Sequence, residues 1–104
     1  MATIISSQRY IDDQIVAEKL AAEDFVVTLS PSFAYADGQF QVVLDGHHSL
    51  AAARLAGVSP EYIEANRSTN DTVSYIDRGQ IEEFLLVACI ENEYYDIATG
   101  KEPW

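Results

Sequence analysis

With 104 residues, 48% of them hydrophobic and 22% charged, the chain has room for one domain and the composition of a folded globular protein, which excludes disorder and collagen-like order. Seventeen Asp and Glu against six Lys and Arg give a net charge of −11, and eight of those acids lie after residue 70. Direct DNA binding is therefore disfavoured, because it needs cations to displace the counterions of phosphates, whereas a basic protein partner suits such a surface. A single cysteine, Cys89, cannot close an internal disulfide, and the adjacent His47 and His48 without a second thiol make no zinc pattern, so no metal is expected.

The opening MATIISSQRY has no basic region followed by an apolar stretch of signal-peptide length. The longest apolar run, Phe84 to Ile90, is far short of a membrane span. A cytoplasmic protein without membrane association is expected. Ser6, Ser7, Asp12 and Asp13 are candidate starts of a first helix running to about Glu23, with Ile15, Val16, Leu20 and Ala21 as its apolar stripe. Phe25 to Leu29 is rich in β-formers and stops at Ser30-Pro31, which predicts a strand. Asp37-Gly38 separates two further β-rich segments and predicts a hairpin, with Phe40, Val42 and Leu44 on the core face of its second strand.

After Asp45-Gly46-His47-His48, the segment Ser49 to Ala56 is dominated by Ala and Leu and predicts a helix ending at Gly57. Its alanines let it lie close to a sheet. A short strand is expected around 62–65 and a polar loop over 66–71. Between Gln80 and Glu91, Ile81, Phe84, Leu85, Ala88 and Cys89 recur at helical spacing, which predicts a helix with a buried thiol at Cys89. A last strand over 94–98 and a turn at Thr99-Gly100 complete an α+β fold, a small mixed sheet with packed helices.

Residues 42–57, VVLDGHHSLAAARLAG, are the segment with chemical content. A buried strand ends at Leu44, Asp45-Gly46 turns sharply, and a helix begins within two or three residues. Its first unpaired N–H groups then point out of the strand end, where an anion such as phosphate or carboxylate is stabilised. Gly46 removes the side-chain obstacle to a ligand, His47 and His48 can donate to an anion or move a proton, and Ser49 adds a hydroxyl. The same junction also occurs as a plain structural join, with Asp45 or Ser49 capping the helix. Candidate binding residues are thus Asp45, Gly46, His47, His48 and Ser49. Asp45, His47 and His48 are the candidate acid/base groups, although no nucleophile can be placed beside them.

VVLDGHHSLAAARLAGV resembles the signature of the ParB/sulfiredoxin-like superfamily, specifically its ParB-type N-terminal (ParB-like nuclease) domain, in which a strand leads into Asp-Gly-His-His-Arg-Leu-Ala-Ala-Ala or a close variant. The direct match covers about sixteen residues, and the compatible order of elements extends it over residues 20–90. The resemblance implies a small α+β domain over residues 1–104, binding the phosphates of a nucleotide such as CTP or ATP at this turn. If the site is active, it implies nucleotide hydrolysis or nuclease-type phosphoryl chemistry. Gly46 matches the motif glycine, His47 and His48 its two variable positions, and Ala52 the helix alanine.

The motif arginine, whose forked donors grip phosphate, is replaced by Ser49, a short neutral donor. Arg54 sits five residues along the helix, about 140° from that face, so Arg9, Arg67 and Arg78 are the candidates to restore charge at the turn. Two functions are therefore expected of this sequence. One is a stand-alone ParB-like domain with a degenerate nucleotide-binding turn. The other is a non-catalytic acidic module of phage or plasmid type that binds a basic protein, or mimics nucleic acid, through carboxylates such as Asp77, Glu82, Glu83, Glu91, Glu93, Asp96 and Glu102.

Overall fold

Alternating apolar residues make Gly38–Asp45 the longest strand, and the other elements are arranged around it. A computed structural model describes residues 2–89 and 93–104. In chain order the elements are β1 (Thr3–Ser6), α1 (Asp13–Ala21), β2 (Val26–Leu29), β3 (Phe33–Tyr35), β4 (Gly38–Asp45), α2 (His47–Ala56), β5 (Glu61–Glu64), α3 (Val73–Asp77), α4 (Ile81–Val87) and β6 (Tyr95–Asp96). The sheet runs β5-β2-β4-β1-β6, and β3 also pairs with β4. β1 is parallel to β4 and β5 to β2, while the β2–β4, β3–β4 and β1–β6 pairs are antiparallel. This is the expected α+β fold with a small mixed sheet and packed helices. No helix among the described residues is long and apolar enough to cross a membrane.

β2 and β3 lie along one edge of β4, Leu29 opposite Val43 and Phe33 opposite Phe40. Pro31 cannot donate to the ladder, and the buried Ser30 bridges the break. Its N–H donates to the Val42 carbonyl at 2.9 Å, and its Oγ accepts the Val42 N–H at 2.9 Å. The hairpin turn is one residue earlier than Asp37-Gly38 suggests. Tyr35 pairs with Gly38, and the two left-handed positions are Ala36 (φ 47°) and Asp37 (φ 66°), the backbone a tight two-residue hairpin requires.

β4 is covered on both faces, not one. Phe40 and Val42 pack with Ile5, Phe33, Phe84, Leu85, Ala88 and Tyr94 on one side. Val43 packs with Val27, Leu29 and Leu50 on the other. Ala52 and Ala53 are fully buried, so α2 sits close to its neighbours as its alanines lead one to expect.

Several elements differ from expectation. β1 was not foreseen, and the buried Ser6 and Ser7 belong to it and its exit rather than to a helix start. α1 starts instead at Asp12, whose Oδ1 accepts the Gln14 N–H at 2.9 Å and the Ile15 N–H at 3.4 Å. Because α1 packs against α2 rather than across the sheet, only Val16 of its stripe is buried, and Leu20 and Ala21 are exposed. α3 lies between the loop expected over 66–71 and the helix expected from Gln80, where no element is expected from the sequence. α4 ends at Val87, so Cys89 leaves the apolar stripe and its thiol is exposed rather than buried. The expected helix end at Glu91 lies outside the described residues.

Candidate functional site

The parallel strands β1 and β4 end on the same side of the sheet, beside the start of the antiparallel β2. The segment 45–49 therefore leaves the sheet next to Gln8 and close to Asp24. Gly46 forms the bend, with φ 92° and ψ 22°, and α2 begins at His47. A Cβ at residue 46 would lie 2.4 Å from the Val26 carbonyl oxygen and 2.9 Å from Val27 Cα. Glycine is thus required twice, by its left-handed backbone and by the closeness of β2. No side chain caps α2, so neither Asp45 nor Ser49 takes the capping role. Asp45 is exposed at the mouth of the turn, and its Oδ1 accepts the Gly46 N–H at 2.8 Å.

The turn borders a recess of about 270 Å³ lined by Gln8, Lys19, Val43, Leu44 and residues 45–49. All five expected binding residues, Asp45, Gly46, His47, His48 and Ser49, meet there. Their side chains do not act alike. His47 is buried and also borders a second recess beside Arg9 and Arg54. The ring of His48 turns away, 6.3 Å from that of His47 and at 75° to it. His48 Nε2 accepts the N–H of Asp12 at 3.2 Å, so that nitrogen carries no proton to give to an anion. The two imidazoles diverge, and among the described residues no group of three His, Cys, Asp or Glu is placed to hold a metal ion.

Ser49 is 1% exposed, and its Oγ donates to Asp24 Oδ1 at 3.3 Å. The other Asp24 oxygen accepts from Lys19 Nζ at 3.0 Å. The hydrogen bond from Lys19 holds the Asp24 carboxyl below the usual carboxylate range, with help from the Val26 N–H and Ser49, and the Asp24 bond in turn raises Lys19. The cation that reaches the turn is thus Lys19, and a carboxylate already holds it.

The three arginines considered for this role lie elsewhere. Arg9 stacks on Tyr95, 4.1 Å from the ring centroid, in the neighbouring recess. Arg67 Nε lies 3.8 Å from Asp77, and Arg78 covers the Tyr75 ring at 5.0 Å. Arg54 donates to the Ile97 carbonyl, on a different side of α2 from Ser49. Lys19 and Asp24 escaped the sequence reading because they flank the end of α1, five residues apart, far along the chain from the motif. The only sequence signal was a carboxylate just before the start of β2.

Comparison of the chain with models of known protein families, with curated proteins and with solved structures returns no match.

Proposed function

We propose that this chain is a stand-alone ParB/sulfiredoxin-like domain whose turn at 45–49 keeps the shape of a nucleotide-phosphate cradle but has lost its charge, and that it catalyses no phosphoryl transfer. The observation that carries the reading is the bend at Gly46, pressed against β2 and followed at once by an uncapped helix. Such a terminus favours an oxyanion through its first-turn N–H groups and the helix dipole. Against tight binding stand the Asp45 carboxylate at the mouth, the inward-facing Ser49 and the engagement of Lys19 by Asp24. What remains is a weak site for the phosphate of a CTP- or ATP-like ligand, with no assembled acid, base and nucleophile among the described residues to act on it.

Calorimetry with CTP, ATP and inorganic phosphate tests this reading on the wild type and on Asp24→Asn. Removing the carboxylate frees Lys19, so Asp24→Asn binds phosphate more tightly than wild type. Equal affinity, or tight wild-type binding with nucleotide turnover, contradicts the proposal.

A second reading, an acidic module that binds a basic protein, is favoured by the net charge of −11 and by Glu82 and Glu83, both exposed in the first turn of α4. A partner captured by the wild type and released steeply by salt or by Glu82→Lys/Glu83→Lys supports it, and capture insensitive to both removes it.

A further inference from the structure

β5 is the last strand on its side of the sheet, and all four of its residues, Glu61, Tyr62, Ile63 and Glu64, are exposed. On its inner edge the Glu61 N–H donates to the Phe25 carbonyl at 2.9 Å, and the Ala65 N–H to that of Leu29 at 2.8 Å. Backbone groups of successive strand residues point to opposite edges, so the N–H and C=O of Tyr62 and Glu64 face outward. An edge of this kind is a template for another chain. Two large apolar side chains stand on it, with Tyr62 42% and Ile63 48% exposed.

We infer that the outer edge of β5 binds an extended basic segment of a partner protein as an added strand. The partner segment reads Lys/Arg–apolar–apolar–Lys/Arg. The charge pattern selects this occupant. Glu-Tyr-Ile-Glu has the same order of acidic and apolar positions in either direction, so a parallel or an antiparallel guest meets a carboxylate at each end and apolar groups between. Opposite charges directly across a strand pair are favourable, and like charges are not. A second copy of this chain carries the same net charge of −11 to the edge and is disfavoured by like-charge repulsion. The inference rests on the acidic-module reading and names its surface; phosphate binding at the turn does not bear on it.

The test is fluorescence anisotropy with a labelled ten-residue peptide carrying Lys-Val-Val-Lys at its centre. Wild type binds it, and the dissociation constant rises roughly tenfold or more between about 0.05 M and about 0.5 M salt as screening grows. Tyr62→Pro removes an outward N–H while leaving the bonds to β2 intact, a substitution that edge strands accept. With its circular dichroism unchanged, this variant loses binding by roughly tenfold, as one lost charge-independent anchor and a disturbed register require. N-methylation of the peptide's inward amides has the same effect. Glu61→Lys/Glu64→Lys rejects the Lys-Val-Val-Lys peptide and accepts its Glu-Val-Val-Glu counterpart.

Amide exchange slows at Tyr62 and Glu64 on adding the peptide. Peptide binding that survives both Tyr62→Pro and N-methylation overturns strand addition while leaving the acidic-module reading standing. Absence of binding, or sedimentation showing that β5 pairs with a second copy instead, overturns the inference outright.

Discussion

Replacing Gly46 with Ala tests the geometry of the turn without touching a charge. A non-glycine residue in the left-handed region costs about 1–2 kcal/mol. The added Cβ also meets the Val26 carbonyl oxygen at 2.4 Å, a backbone atom fixed in the β2 ladder, and such overpacking costs a further ~1–3 kcal/mol. The expected loss is thus about 2–5 kcal/mol, a large share of the ~5–15 kcal/mol that stabilises a typical domain. Gly57 supplies the control. It closes α2 with φ 69°, yet nothing lies within 4 Å of a Cβ there, so Gly57→Ala bears the backbone term alone. Urea unfolding followed by circular dichroism separates the two. With a slope of about 1–2 kcal/mol per M, the midpoint falls roughly 0.5–3 M further for Gly46→Ala than for Gly57→Ala. Equal losses at the two positions would refute the close approach of β2 to the turn.

Three other outcomes follow from the same structure. Tyr94 donates to the Leu85 carbonyl at 2.6 Å, and burial pushes its phenol above the ordinary range, so Tyr94→Phe costs ~1–3 kcal/mol in urea unfolding. In an alkaline titration read by ultraviolet absorbance, the Tyr94 phenol, identified by comparison with Tyr94→Phe, ionises only with unfolding, and stability falls as pH rises above about 10, where the unfolded phenol ionises. Asp24 behaves with the opposite sign. Its lowered pKa contributes stability above the unfolded value of about 4, and that stability is lost as pH falls through the folded value, so the difference between wild type and Asp24→Asn changes at acid pH and is flat near neutrality. Cys89 reacts with a disulfide reagent in the native state as readily as after unfolding, since its thiol is exposed; protection in the native state would contradict the end of α4 at Val87.

Much of this architecture was legible because local signals and tertiary structure agree. The hairpin, the glycine-terminated α2 and the central β4 each follow from turn chemistry, capping or alternation within a few residues. β1 escaped because Thr3-Ile4-Ile5 is too short to show a period, and its strand character comes from pairing with Phe40, Gln41 and Val42 across the chain. α1 shows the reverse: its apolar spacing is real, but only the surface offered by α2 decides which of those residues is buried. Cys89 was misplaced because continuing a helical period beyond Val87 assumes that the helix itself continues.

At the candidate site the bend was readable from Asp45-Gly46, since glycine's backbone freedom is a local property. The occupants of the space around it were not. Asp24 reaches Ser49, and Lys19 reaches Asp24 at the recess, through the packing of α1, α2 and β2, and no pattern in residues 42–57 encodes that. The orientation of His48 likewise depends on the Asp12 N–H, a partner 36 residues away.

The central claim, a phosphate cradle whose grip was lost with its arginine, is tested most directly by calorimetric titration of Ser49→Arg with CTP, ATP and phosphate beside the wild type. Ser49 is one of the residues lining the recess, with its Oγ directed at Asp24. A regained charge-assisted hydrogen bond of ~1.5–3 kcal/mol predicts that Ser49→Arg binds phosphate roughly tenfold or more tightly than a weakly binding wild type. A folded Ser49→Arg with no gain for any of the three ligands would contradict the account, as would a wild type that already binds them tightly.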